Sequence, residues 1–225
     1  MKSIFLNGSP RKNWNTAQLL KSAQKGAESV GAETEYIDLY DLHFTGCRSC
    51  LACKVKGAVP CKCYWKDDLS PILDRIFEAD SLFIGSPIYL GDTTSQFHAV
   101  IERLDFVSLS YNDYSCLFFK KERQEAKQDA RSDAKLNVGI ILTMNATEEY
   151  YDKGIAPMLQ NQIDLFRRFG GKVEVLPCFD TLQVKDYSRY DMAAWDEEHK
   201  KKHHEEQFPI DLEKAFRLGA EMARD

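Results

Sequence analysis

The sequence lacks the two commonest ways of holding a nucleotide: it has no G-x-x-x-x-G-K-[ST] triphosphate loop and no G-x-G-x-x-G dinucleotide fingerprint. It has no sustained basic face, and a net charge of -5 with a pI near 5.6 gives no electrostatic footprint for DNA or RNA. No uncharged apolar run is long enough to span a bilayer. The N-terminus enters a strand pattern at once, without an apolar h-region or small-residue cleavage site, so a cytoplasmic protein is expected. Internal repeats and low-complexity tracts are also absent.

What is present fits one sizeable core. With 225 residues, 44% of them apolar, the chain suits a single α/β domain over 1–225 better than two. Five of the seven cysteines crowd between Cys47 and Cys63, and without a secretory segment that crowding points to metal or redox chemistry rather than disulfides. Cys116 and Cys178 read as small buried hydrophobes.

The chain opens on the apolar run Ile4-Phe5-Leu6 and a polar loop from Asn7 to Thr16. Leu19, Leu20, Ala23, Ala27 and Val30 then recur at helical spacing, so a helix is expected from Asn15 or Thr16, either acting as N-cap. Free main-chain N–H groups at a helix start attract an anion. Ser9 and Thr16 add hydroxyls, Asn15 an amide and Arg11 a guanidinium fork, a set suited to a single phosphate ester. An ordinary capped strand-to-helix turn competes with this reading.

Further strands are expected at 32–38, 81–85, 138–142 and 172–176, and helices at 68–79, 95–106, 152–169 and 210–224. Strand 81–85 is apolar throughout, as buried parallel strands tend to be. Between these elements lie an irregular cysteine-rich loop at 40–66, a charged surface excursion at 108–135 and a C-terminal extension at 179–225. Five strands alternating with helices imply a doubly wound parallel sheet, and the flavodoxin-like order 2-1-3-4-5 is the natural choice. That order places a ligand at the carboxyl ends of the strands, where three loops meet: Gly8 to Thr16, Pro87 to Gly91 and Thr143 to Asn145.

The opening Gly8-Ser9-Pro10-Arg11-Lys12-Asn13, followed by Asn15-Thr16, resembles the phosphate loop of the NADPH-dependent FMN reductase family of flavodoxin-like proteins. Trp14 stands where that loop often carries glycine. Ser86-Pro87-Ile88-Tyr89-Leu90-Gly91 resembles the family's isoalloxazine loop, and Thr143-Met144-Asn145 the loop that edges the ring. In that segment Pro87 fixes the backbone, Tyr89 offers an aromatic surface and Gly91 permits close main-chain approach. The resemblance implies FMN held by Ser9, Arg11, Asn15, Thr16, Pro87, Ile88, Tyr89, Leu90, Gly91, Thr143 and Asn145. The redox chemistry would then be borne by the flavin, without a catalytic acid or base from the protein.

Cys47-x-x-Cys50-x-x-Cys53, with Cys61 and Cys63 beyond, has the tight spacing of thiolates that converge on a cubane cluster. It resembles the iron-sulfur flavoprotein branch of the family, which carries a four-iron four-sulfur cluster beside FMN. Either Cys61 or Cys63 can be the fourth ligand: the spacing of Cys61 from Cys53 looks closer to the cluster-bearing relatives, whereas Cys63-x-x-x-Asp67-Asp68 aligns with the cysteine before the family's usual Asp-Asp. Relatives often have glycine before the second cysteine, where this chain has Ser49. A four-thiolate zinc site and free or redox-active thiols are the alternatives.

His199 and His203 lie four apart and could seat a metal, but amid Glu197, Glu198, Lys200, Lys201 and Lys202 a solvated helical face is the expectation. The resemblance implies an NAD(P)H oxidoreductase passing electrons to a quinone, flavin or protein acceptor, and a homodimer or homotetramer. The competing functions are an electron carrier like flavodoxin, with no small-molecule substrate, and a thiol redox sensor.

Overall fold

The computed structural model describes residues 1–119 and 135–224; the run 120–134, the bulk of the expected charged excursion, lies outside the described residues. Five strands, β1 (Lys2–Asn7), β2 (Glu33–Asp38), β3 (Ser81–Pro87), β4 (Leu136–Thr143) and β5 (Gly170–Cys178), form one sheet. All neighbours pair in parallel, in the order β2-β1-β3-β4-β5, so the fold is the doubly wound α/β arrangement expected from the sequence.

Alternation along the strands divides the core in two. Ile4, Leu6, Leu82, Ile84, Val138 and Ile140 face a layer made by α2 (Ser70–Ile76), α3 (Ser95–Ser108) and α4 (Ala156–Arg167). Phe5, Phe83 and Ile141 face the other layer, made by α1 (Asn15–Ser29) and α5 (Glu197–Met222). The rings of Phe5 and Phe83 stack with centroids 4.4 Å apart. Helices α1 and α5 approach closely because glycine sits at the contact: a Cβ on Gly26 would lie 1.9 Å from Phe216 O, and one on Gly219 would lie 1.8 Å from Ala23 O.

The structure moves three expected boundaries. The N-cap of α1 is Trp14, not Asn15 or Thr16, and it offers no side-chain cap. The helix expected at 152–169 is split into a π-helical stretch, Tyr151–Ile155, and α4, because Pro157 in the first turn of α4 has no N–H to continue the ladder behind it. The last helix begins at Glu197 rather than near Ile210: Asp196 caps it by accepting from His199 N at 3.0 Å, and Pro209 is carried inside it. No helix among the described residues is long and apolar enough to cross a membrane.

Candidate functional site

Each of the three loops at the carboxyl edge of β1, β3 and β4 is hydrogen-bonded to the other two. Gly8 N donates to Gly85 O at 2.8 Å and the Thr94 hydroxyl donates to Gly8 O at 2.8 Å, tying the first loop to the second. Ile88 N donates to Thr143 O at 2.8 Å, tying the second to the third. The hydroxyls of Thr16 and Thr143 pair at 2.8 Å, closing the circuit. These are buried contacts between residues far apart in sequence, so the edge is a built surface and not three independent turns.

At this edge the start of α1 has no side-chain cap, which leaves the N–H groups of its first turn without intrahelical acceptors. Ser9 is buried, and its Oγ accepts from Arg11 N at 3.1 Å, bending the loop back over the helix start. In the second loop Tyr89 and Asp92 bond each other's main chains at 2.8 Å and 3.0 Å around Leu90 and Gly91. Both central residues take positive φ, 54° at Leu90 and 85° at Gly91. Glycine adopts this readily, whereas leucine is strained there, and the Leu90 side chain is fully exposed. Gln162 of α4 braces the turn, bonding Asp92 at 2.7 Å and Thr93 at 2.9 Å. Burial and nearby Tyr40 push the Tyr89 phenol up, while Arg11 opposes them.

The third loop carries the least satisfied polar group of the site. Both side-chain polar atoms of Asn145 are buried and have no hydrogen-bond partner among the described residues. Unpaired buried amides are costly, so this one marks a place where a polar ligand edge would belong. Lys200, 2% exposed, reaches from α5 to donate to Asn145 O at 3.3 Å and to the Asp180 carboxylate. Burial works against the charged form of Asp180, yet bonds from Lys200 and His199 hold its carboxyl below the usual range.

Residues after β5 cross the opening loop. Leu182 O accepts from Trp14 Nε1 at 3.0 Å and from Asn15 Nδ2 at 2.8 Å, and Gln183 O accepts from the Arg11 guanidinium. The side chains of Arg11 and Asn15, expected on phosphate oxygens, are therefore engaged with main-chain carbonyls. Trp14, in the place where the resembling loops often carry glycine, pins that crossing segment. Sequence reading missed Lys200, Asp180 and residues 182–183: their partners lie in distant segments, and no local pattern announces the contact.

On the other side of α3, Cys47, Cys50, Cys53 and Cys63 line one small, mainly apolar pocket together with Leu51, Trp65, Arg103 and Phe106. Cys61 does not line it; it is 4% exposed, joins the main core and has φ 60°. Arg103, buried on α3, holds the wall: it donates to Cys63 Sγ at 3.1 Å and Asp67 Oδ2 at 2.5 Å, and Asp67 Oδ1 accepts from Ser70 N, the first residue of α2, at 3.1 Å. Burial pushes the Cys53 thiol up, opposed by the Lys54 ammonium, whose own pKa burial lowers. Lys54 is anchored at 2.5 Å on each of Phe106 O and Leu109 O. Ser49, where relatives often have glycine, has φ 52°. Cys178 is buried as expected, and Cys116 packs against the core from a half-buried position.

Fold and sites together describe an FMN-reductase-type α/β protein, and the comparisons agree: the sequence profile of the NADPH-dependent FMN reductase family matches residues 1–121, and the chain belongs to that family. Within it, the chain is similar to an iron-sulfur flavoprotein of Methanocaldococcus jannaschii, 38% identical over 103 residues that cover 46% of this chain and 51% of that protein. An iron-sulfur flavoprotein of Archaeoglobus fulgidus is also 38% identical over 103 residues, covering 46% and 48% respectively. The chain thus spans about half the length of the curated relatives it matches. In fold it is similar to an NAD(P)H:quinone oxidoreductase of Methanothermobacter marburgensis, with a TM-score of 0.67 at 18% identity and coverage of 100% and 98%. An azoreductase of Bacillus anthracis gives 0.62 at 12% identity, covering 98% and 99%.

Proposed function

We propose that this protein is an FMN-dependent oxidoreductase that takes hydride from NAD(P)H and delivers electrons to a quinone, flavin or protein acceptor, with an iron-sulfur cluster held by Cys47, Cys50, Cys53 and Cys63. The mutual bonding of the three strand-end loops carries this reading, because it fixes an uncapped helix start and a partnerless amide at one edge.

The residues present fit FMN. The first-turn N–H groups of α1, with Ser9, suit a phosphate monoester; Tyr89 offers an aromatic surface; and the Asn145 amide has both a donor and an acceptor free for the polar edge of a flavin. Pro87, Ile88, Leu90 and Gly91 would line the ring's other border. Thr16 and Thr143 would set the distance between phosphate and ring regions through their shared bond. Arg11 and Asn15 take the role of holding the 182–183 crossing over the loop, with Arg11 adding positive charge there. When bound, FMN supplies two-electron uptake and one-electron release. Lys200, behind Asn145, is ion-paired with Asp180 and donates to Asn145 O, so it would hold the third loop in place beside the ring.

The four thiols around one pocket fit a cubane cluster, and the placement of Cys61 in the core favours Cys63 as fourth ligand. The low polarity of the pocket and the Arg103 donor to Cys63 both bear on the potential of a cluster held there. The proposal includes a cytoplasmic homo-oligomer, in line with the fully exposed Leu90 at the site's rim.

Anaerobically purified protein, reconstituted with FMN, iron and sulfide, is expected to show flavin bands over broad absorption that dithionite bleaches. It should also oxidise NADPH or NADH with turnover on a simple quinone. Colourless protein after reconstitution would overturn the flavin reading; flavin reduced by dithionite but never by either nicotinamide would instead identify an electron carrier.

A further inference from the structure

We propose that Asp180, His199 and His203 form a binding site for a borderline divalent cation, with zinc as the representative ion. The site is separate from the cysteine pocket and does not rest on the flavin reading. The spacing of the two histidines alone suggested no more than a solvated helical face. The structure adds a third donor from another segment, the carboxylate that follows β5.

The three donor atoms lie within 4.8 Å of one another: Asp180 Oδ2 is 2.5 Å from His199 Nε2 and 3.9 Å from His203 Nδ1. Around a tetrahedral ion with bonds of about 2.0–2.1 Å, donors sit roughly 3.3 Å apart, so the set brackets the required spacing. The histidines are one helical turn apart on α5, and their rings are near parallel, with centroids 6.0 Å apart and 22° between planes. The Asp196 cap fixes the helix start beneath His199. Asp180 is fixed from two directions: its N–H donates to Ala146 O at 2.9 Å, and its Oδ1 takes the Lys200 ammonium, leaving Oδ2 toward the imidazoles. Its φ of 50° lies in the left-handed region, which aspartate adopts more readily than most residues. The buried Nε2 of His203 has no hydrogen-bond partner among the described residues.

Two imidazoles and one carboxylate suit zinc and its first-row neighbours, and His199, 59% exposed, keeps an open side for water in the remaining position. In the ion's absence His199 Nε2 and Asp180 Oδ2 bond each other directly, 2.5 Å apart, across the position the ion would take. The ion would clamp the first turns of α5 to Asp180, and through residues 180–183 to the third loop and to Arg11, Trp14 and Asn15.

The test is zinc titration by calorimetry on the full chain with its cluster reconstituted, so that the thiols are occupied, followed by X-ray absorption at the zinc edge. One equivalent is expected, with a shell of nitrogen and oxygen at about 2.0–2.1 Å and no sulfur at about 2.3 Å. His199→Ala, an exposed change that leaves the fold intact, and Asp180→Asn should each weaken binding by at least about tenfold. No zinc uptake, a sulfur shell, or uptake unchanged in both variants would overturn the proposal. Uptake that weakens only in Asp180→Asn, with altered circular dichroism, would also overturn it, since the loss would then be structural.

Discussion

The two sites are held in opposite ways. The three-loop edge takes its shape from regular structure: each loop leaves a strand whose register is fixed by neighbours on both sides, and the cross-loop bonds only refine it. The cysteine loop has no strand to lean on. It runs through irregular backbone with positive φ at Ser49, Leu51, Gly57 and Cys61, and side chains hold it: Arg103 to Asp67 and Cys63, Lys54 to the carbonyls of Phe106 in the last turn of α3 and of Leu109 just beyond it, and Lys62 to Asp74. A sheet edge tolerates the loss of one side-chain contact because the main-chain ladders on both sides of each strand still fix its position. A loop pinned by a few charged groups does not, so single substitutions should divide the two sites cleanly.

The largest effect is expected where a pin is also a proposed ligand. Cys63→Ala should remove the bleachable cluster absorption and lower bound iron by more than about tenfold, while FMN content stays near wild type. Cys61→Ala should do the reverse: iron is retained, and thermal denaturation shows a loss of about 1 kcal/mol from a small buried side chain. If Cys61→Ala abolishes iron binding and Cys63→Ala does not, the assignment of the fourth ligand is wrong.

Arg103→Met comes next. It leaves the nearly buried Asp67 carboxylate without its cation and Cys63 without its donor, at a cost of about 3–5 kcal/mol in denaturant unfolding. Iron should be lost along with stability, whereas any protein that remains folded should still take up FMN. Lys200→Met tests the opposite pole. It strips Asp180 and Asn145 O of a buried donor, so a cost of about 2 kcal/mol is expected, together with weaker FMN retention and unchanged iron. Equal losses of both groups in either variant would show that the sites are not held independently.

The same contrast explains what could be read from sequence. Strand order and the three loops were legible because alternation, apolar runs and helix spacing are local signals, and a doubly wound sheet sends the ends of β1, β3 and β4 to one edge. The different settings of Cys61 and Cys63 were not, because spacing is one-dimensional, whereas the fold turns one thiol into the core and the other toward Arg103. The C-terminal contributions were invisible for a similar reason. The His199 to His203 interval shows in the sequence, but Asp180 joins it from outside the helix, and Leu182 reaches Asn15 across 167 positions. The capping role of Asp196 was the available signal for an earlier start of α5, since an aspartate followed by Glu197 and Glu198 is a helix-start pattern.

Ser49 permits the finest test of how the cysteine loop is held. At φ 52° a residue with a Cβ pays a steric cost of about 1–2 kcal/mol that glycine avoids, while glycine adds about 0.5–1 kcal/mol of chain entropy to be lost on folding. Ser49→Gly should therefore stabilise the folded chain by about 0.5 kcal/mol, a rise of a degree or two in melting temperature with cluster content unchanged. The residue is exposed, so packing does not confuse the result. A fall in melting temperature would mean that the left-handed turn before Cys50 is not adopted in solution, and that the cysteine loop is shaped by what it binds and not by its own ion pairs.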